Sequence, residues 1–176
     1  ATNNNGNYSL KNADQYHQTA HSADDFTLTP EAQRQMEEVR AKYEGTARWM
    51  KAPNGKDTFL PEKLWLAVRT PLFKQWFGDW ENDPANASKI LDVNGEPLVV
   101  YHGTTIPVDN IRVFERGTVG WLGPGIYLTP YKEYALQFSD KGEDGLIRLF
   151  LNLRNPLLLT SGKPYLELLQ KLYGNE

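Results

Sequence analysis

The sequence predicts an α+β fold, with a helical N-terminal region followed by a mixed α+β C-terminal half. Three observations predict it. Residues 29–77 carry helix-start signals and apolar residues at helical spacing. From residue 90 onward the pattern changes to short apolar runs bounded by Gly, Pro and Asn-Gly. At 176 residues, the chain suffices for one domain of ordinary size plus an arm.

Residues 1–28 are rich in Asn, Gln, Asp and Ser and read as a flexible polar arm, one that a partner protein could contact. His17 and His21 fall at i,i+4 without a carboxylate in any metal-binding pattern, so a solvated pair is expected. Residues 29–89 form the helical region. Thr29-Pro30-Glu31 predicts a helix N-terminus, with Thr as cap, Pro at the first position and Glu at the positive end of the dipole. That helix should run to about Tyr43, pack through Ala32, Met36, Val39 and Tyr43, and stop at Gly45. Pro53-Asn54-Gly55-Lys56 predicts a turn. Pro61 opens a second helix through Val68, packing by Leu64, Trp65 and Val68. Pro71 interrupts it, and a segment Leu72–Phe77 ends at Gly78. The aromatic run from Trp76 to Trp80 reads as an anchor of the helical region, because Asp79, Glu81 and Asp83 beside it would repel phosphate.

Residues 90–176 form the mixed core. Val93-Asn94-Gly95-Glu96 is a hairpin turn, and Leu98–Tyr101 a short apolar strand. Ile111–Phe114 and Ile126–Leu128 are further strand candidates, separated by a glycine-rich loop over 117–125. Thr129-Pro130 should cap a helix through about Phe138. Leu146–Leu153 is the strongest strand signal, and Pro164–Tyr173 reads as a final helix. No internal repeat is evident.

Composition excludes several chemistries. The chain has no Cys, hence no disulfide framework, thiolate nucleophile or Cys-bound zinc. Nineteen Lys and Arg against 22 Asp and Glu give a net charge of −3, which argues against a strongly basic nucleic-acid binder. No apolar run approaches membrane-spanning length and the first 25 residues hold no apolar signal core, so no membrane association is expected. Walker-type loops, the nucleophile elbow and metal-ligand spacings are missing.

Two segments carry chemical promise. Tyr101-His102-Gly103-Thr104 ends an apolar strand, placing an imidazole, an accessible backbone and a hydroxyl together. In Gly125-Ile126-Tyr127-Leu128-Thr129, Tyr127 offers a flat ring suited to stacking. Read alone, His102 fits a structural hydrogen-bonding residue and Tyr127 a core residue. Their order and spacing together are more specific.

Together, Tyr101–Thr104 and Gly123–Thr129 resemble the first two motifs of the His-Tyr-Glu class of ADP-ribosyltransferases, the class of diphtheria toxin and poly(ADP-ribose) polymerases. Leu149–Pro156 and Val68–Trp80 are similar to ADP-ribosyltransferase domains of phage and mobile-element polyvalent proteins. The resemblance spans about residues 46–160 and implies a small split β-sheet ADP-ribosyltransferase-like core that uses NAD as substrate, with no metal. Carried over, it implies that His102 bonds the adenosine ribose and Gly103 pairs its backbone with the nicotinamide carboxamide. It further implies that Thr104 lies beside the ribose, Tyr127 stacks on the nicotinamide and Phe138 covers the ring's other face. His102 and Tyr127 would be the catalytic residues. Ala135 stands where some relatives use Ser, which should weaken carboxamide anchoring.

The resemblance implies a third residue, a Glu on a late strand. The carboxylates Glu133, Glu143, Asp144, Glu167 and Glu176 all sit outside such a context. Either the strand bearing that Glu lies outside these 176 residues, leaving the core incomplete at its C-terminus, or the chain binds NAD without efficient catalysis. The first is expected. The leading expectation is a mono-ADP-ribosyltransferase of effector or toxin type. It would act in the cytoplasm of the producing or target cell on a protein or nucleic-acid acceptor. A catalytically inactive NAD- or ADP-ribose-binding module is the alternative. A third reading is an interaction protein that uses His102 and Tyr127 only for packing.

Overall fold

Thr29 opens the first helix as its neighbours predict. In the computed structural model, which describes residues 19–105 and 125–159 together with Glu167 and Gln170, the Thr29 hydroxyl accepts the Ala32 N–H at 3.1 Å. Helix α1 spans Pro30–Tyr43. It buries Ala32, Met36, Val39 and Tyr43, the expected stripe, and also Gln35. The Gln35 amide is tolerated there because its carbonyl accepts the Leu72 N–H at 2.8 Å. Helix α2 spans Glu62–Ala67 and α3 spans Pro71–Phe77. Thr70 caps α3: its hydroxyl accepts from Phe73 N at 3.2 Å and donates to the Ala67 carbonyl at 2.8 Å. Gly78 ends α3 at φ +98°, with Ala87 so close that a Cβ would lie 2.4 Å from its Cα.

The aromatic run is core. Phe73 and Phe77 stack at 4.9 Å, Trp80 donates its indole N–H to the Val68 carbonyl at 2.9 Å, and Phe77 and Trp80 are buried. His21 is not part of a solvated pair. Its ring meets Trp76 and Phe26 edge-on and its Nδ1 lies 2.9 Å from Asp25 Oδ2. His17 lies outside the described residues.

The chain does contain a repeat, and it is structural. Residues 50–58 and 90–98 form two hairpins with matching hydrogen bonds. Ala52 N donates to Lys56 O, Gly55 N to Ala52 O and Thr58 N to Met50 O. Asp92 N donates to Glu96 O, Gly95 N to Asp92 O and Leu98 N to Ile90 O. Gly55 and Gly95 take φ of +81° and +84° at the turns, and Asn54 Nδ2 donates to Asn94 Oδ1 at 2.9 Å. The repeat escapes a sequence scan because only Asn-Gly is common to the two turns. Arg69 lies behind the pair and is buried. It donates to Lys51 O at 3.1 Å and to Glu96 Oε1 at 2.7 Å, with its guanidinium over the Trp65 ring at 3.9 Å. Glu96, fully buried, also accepts from the Thr58 hydroxyl.

Strands β1 (Ala20–Ser22), β2 (Val100–Gly103) and β3 (Leu146–Leu151) form an antiparallel sheet in the order β1-β3-β2. The described part of the fold is thus α+β. Polar residues expected in a flexible arm supply β1. Ala20 pairs with Leu151, and Ala23 and Phe26 bury themselves just beyond. Three residues are too few to show a strand period, and the partner is remote in sequence. Alternation divides β3 between two cores. Ile147 and Leu149 face Val100 in a small cluster, while Phe150 enters the main helical core with Phe26 and Phe73.

Other boundaries move. The strand expected over Leu98–Tyr101 begins at Val100 because the Leu98 N–H closes the second hairpin on Ile90 O at 3.0 Å. Ile126–Leu128 forms no strand ladder; pairing in this segment occurs at Thr129, which bridges Tyr101. The helix expected to reach Phe138 is α4, Lys132–Leu136, and Phe138 lies in the turn beyond it. Ile111–Phe114 and the glycine-rich loop before Gly125 lie outside the described residues. So does the final helix, apart from the helical Glu167 and Gln170.

Candidate functional site

The site is organised by the edge of β2. The Thr104 N–H donates to Gly145 O at 2.8 Å, and His102 pairs with Ile147. Backbone hydrogen bonds alternate along an antiparallel pair, so Tyr101 and Gly103 aim theirs at the opposite edge. Tyr101 uses that edge to exchange bonds of 2.7 and 3.0 Å with Thr129. The Gly103 N–H and C=O lie along the same edge, beside the segment that carries Tyr127.

His102 and Tyr127 meet directly. Nδ1 of His102 lies 2.9 Å from the Tyr127 carbonyl oxygen. A carbonyl only accepts, so Nδ1 carries the proton, and the neutral ring presents Nε2 as an acceptor. Two segments separated by the glycine-rich loop are thereby joined, and the imidazole tautomer is set by backbone.

Gly103 is required by packing. A Cβ on it would lie 2.0 Å from the Ala135 carbonyl and 3.2 Å from Phe138 Cβ. Helix α4 therefore sits directly on β2, with Ala135 buried at the contact. Phe138 is rooted against Gly103 yet is 55% exposed, and Tyr127 is 41% exposed. Tyr134 meets Phe138 edge-on with ring centroids 5.3 Å apart. The sequence reading missed Tyr134; its i,i+4 spacing from Phe138 was the available signal.

Residues 92–175 match the family described as ADP-ribosyltransferase in polyvalent proteins (ART-PolyVal). This segment is similar to ADP-ribosyltransferase domains. No curated protein and no solved structure matches the chain. Within the matched segment lie His102, Gly103, Thr104, Tyr127 and Phe138, and the fold brings four of them to one edge. Thr104 adjoins them at the end of β2, its N–H engaged with Gly145.

Carboxylates of the matched segment are placed otherwise. Glu143 binds Lys132 at 2.6 Å and raises the ammonium's pKa. Glu133, Asp144 and Glu167 are exposed, and Glu176 lies outside the described residues. The buried Glu96 is taken up by Arg69 and Thr58. A separate open cleft of about 820 Å³ lies on the sheet face that carries Tyr101 and Arg148. Its charges are largely paired, Arg148 with Asp24 and Lys132 with Glu143, and neither His102 nor Tyr127 lines it. Among the described residues no group of three His, Asp or Glu could hold a metal, and no helix is long and apolar enough to cross a membrane.

Proposed function

We propose that the chain is an NAD-dependent mono-ADP-ribosyltransferase of effector or toxin type, acting in the cytoplasm of the producing or target cell. The observation that carries this reading is the hydrogen bond from His102 Nδ1–H to the Tyr127 carbonyl, beside the Gly103 edge. In this reading His102 Nε2 accepts a hydroxyl of the adenosine ribose, with Thr104 alongside. Gly103 N–H and C=O pair with the nicotinamide carboxamide. Tyr127 and Phe138 enclose the nicotinamide ring. The polar stretch 1–28 offers a partner protein a contact surface, and residues 29–89 serve as the scaffold of a core over 90–176.

The chemistry asks little covalent work of the protein. The C1′–N bond breaks, neutral nicotinamide leaves with the bonding pair, and the ribose gains oxocarbenium character. A nucleophile of a protein or nucleic-acid acceptor then attacks C1′ and loses its proton. His102, Gly103 and Tyr127 supply orientation and a flat, desolvated surface. An inactive NAD- or ADP-ribose-binding module is the second reading. Its support is that Glu143 is tied to Lys132 while Glu133 and Asp144 are exposed.

Nicotinamide release from NAD, with Tyr127→Ala as control, tests the proposal. Release that the variant loses supports a transferase. NAD binding without release supports the recognition module. His102→Ala and Tyr127→Ala should each weaken NAD binding about tenfold or more, the loss expected for one good polar or stacking contact. Unchanged affinity in both variants overturns the site.

A further inference from the structure

We propose that Tyr134 is a positioning residue for this site, holding the Phe138 ring at the edge of β2 where a planar ligand ring would stack. The inference rests on the reading of Phe138 given above. Phe138 lies past the end of α4, in a turn whose N–H donates to Ala135 O at 3.1 Å. Its root is fixed, because its Cβ crowds the position a Gly103 side chain would take. Phe138 as a whole is more than half exposed, so core packing does not set its χ1. The Tyr134 ring does: the two planes meet at 69° in an edge-to-face pair. Tyr134 is itself 53% exposed. Two large rings that contact each other at a surface, one of them against the backbone of β2, spend their contact on orientation more than on burial. A ring held in one orientation binds a planar partner without first losing rotational freedom.

NAD titrations of the full chain test this, using wild type, Tyr134→Ala, Tyr134→Phe, Phe138→Ala and Tyr131→Ala. Tyr131→Ala removes another exposed ring, at the start of α4. Tyr134→Ala should raise the NAD Kd about fivefold, as expected when one more side chain must be immobilised on binding, with a melting temperature within a few degrees of wild type. Tyr134→Phe should restore wild-type affinity, because it keeps the ring and drops only the hydroxyl. Tyr131→Ala should bind as wild type. If Phe138→Ala weakens binding and Tyr134→Ala does not, the positioning role is overturned while the site stands. An equal loss in Tyr131→Ala, or a Kd that rises only as the melting temperature falls, also overturns it. If neither Phe138→Ala nor Tyr134→Ala changes the Kd, the reading of Phe138 fails and takes the inference with it.

Discussion

Gly103 shows how a residue singled out for one reason can be required for a second. A glycine after a strand-end His suggests close approach to its backbone, and the packing adds that the Ala135 carbonyl stands 2.0 Å from where a Cβ would be. Gly103→Ala should therefore push α4 off β2, lowering stability by about 1–3 kcal/mol, the usual cost of overpacking. Chemical denaturation measures this, and the proposed NAD site should weaken with it. The stripe Ala32, Met36, Val39 and Tyr43 was legible because burial there follows a local period. Glu96 was not. Nothing around it in sequence marks it for burial, since its partners Arg69 and Thr58 come from another part of the chain. His102 and Tyr127 were recognised as motif residues, but their mutual hydrogen bond depends on how the segment before Thr129 bends toward β2, which no local pattern encodes.

At the scale of elements, the twin hairpins matter most. Their turns touch through Asn54 and Asn94, and Arg69 clamps them from behind. Arg69 and Glu96 are both buried, so removing Glu96 leaves the Arg69 guanidinium only the longer contact of 3.5 Å to Glu81 Oε1. Glu96→Ala should cost about 3–5 kcal/mol in a urea titration. A double replacement of Arg69 and Glu96 by apolar residues should cost less than the single change, and a larger loss would contradict this account. On α3, Lys74 lies 2.6 Å from Glu81 and 3.0 Å from Asp79. Burial alone would lower the Lys74 pKa, but the two carboxylates outweigh it and raise it. Burial would raise the Asp79 pKa, but hydrogen bonds from Asn82 and Lys74 outweigh it and lower it. The signs fix the pH windows. The Asp79 contribution is present above its ordinary value of 3.8 and fades as pH falls through its lowered one. The Lys74 contribution is present below 10.5 and fades as pH rises through its raised one. Asp79→Asn should therefore lose less stability than wild type between neutral pH and strong acid, as followed by thermal melts.

Viewed as a whole, the molecule does not divide where its composition changes. The family match begins at residue 92, and the sequence pattern shifts near residue 90. Yet β1 comes from residues 20–22, and Phe150 of β3 is buried in the helical core. A fragment of residues 92–176 would expose Phe150, lose the Arg69 partner of Glu96 and leave β3 unpaired on one side. It should show no cooperative thermal transition by circular dichroism, whereas the chain from residue 19 onward should unfold cooperatively. The α+β class and the three N-terminal helices were legible because caps, prolines and apolar spacing act within a few residues. The sheet order was not, since it depends on pairing between distant segments.

That order has a consequence for how the protein is made. The middle strand of the sheet, Leu146–Leu151, is the last of the three to be synthesised. At roughly 5–20 residues per second on the ribosome, Ala20–Ser22 emerges seconds to tens of seconds before the strand it must pair with. The helices have that interval to pack, but the strand bearing His102 has no sheet to join. Translation thus imposes a delay in which the scaffold can fold while the His102 site is still unformed.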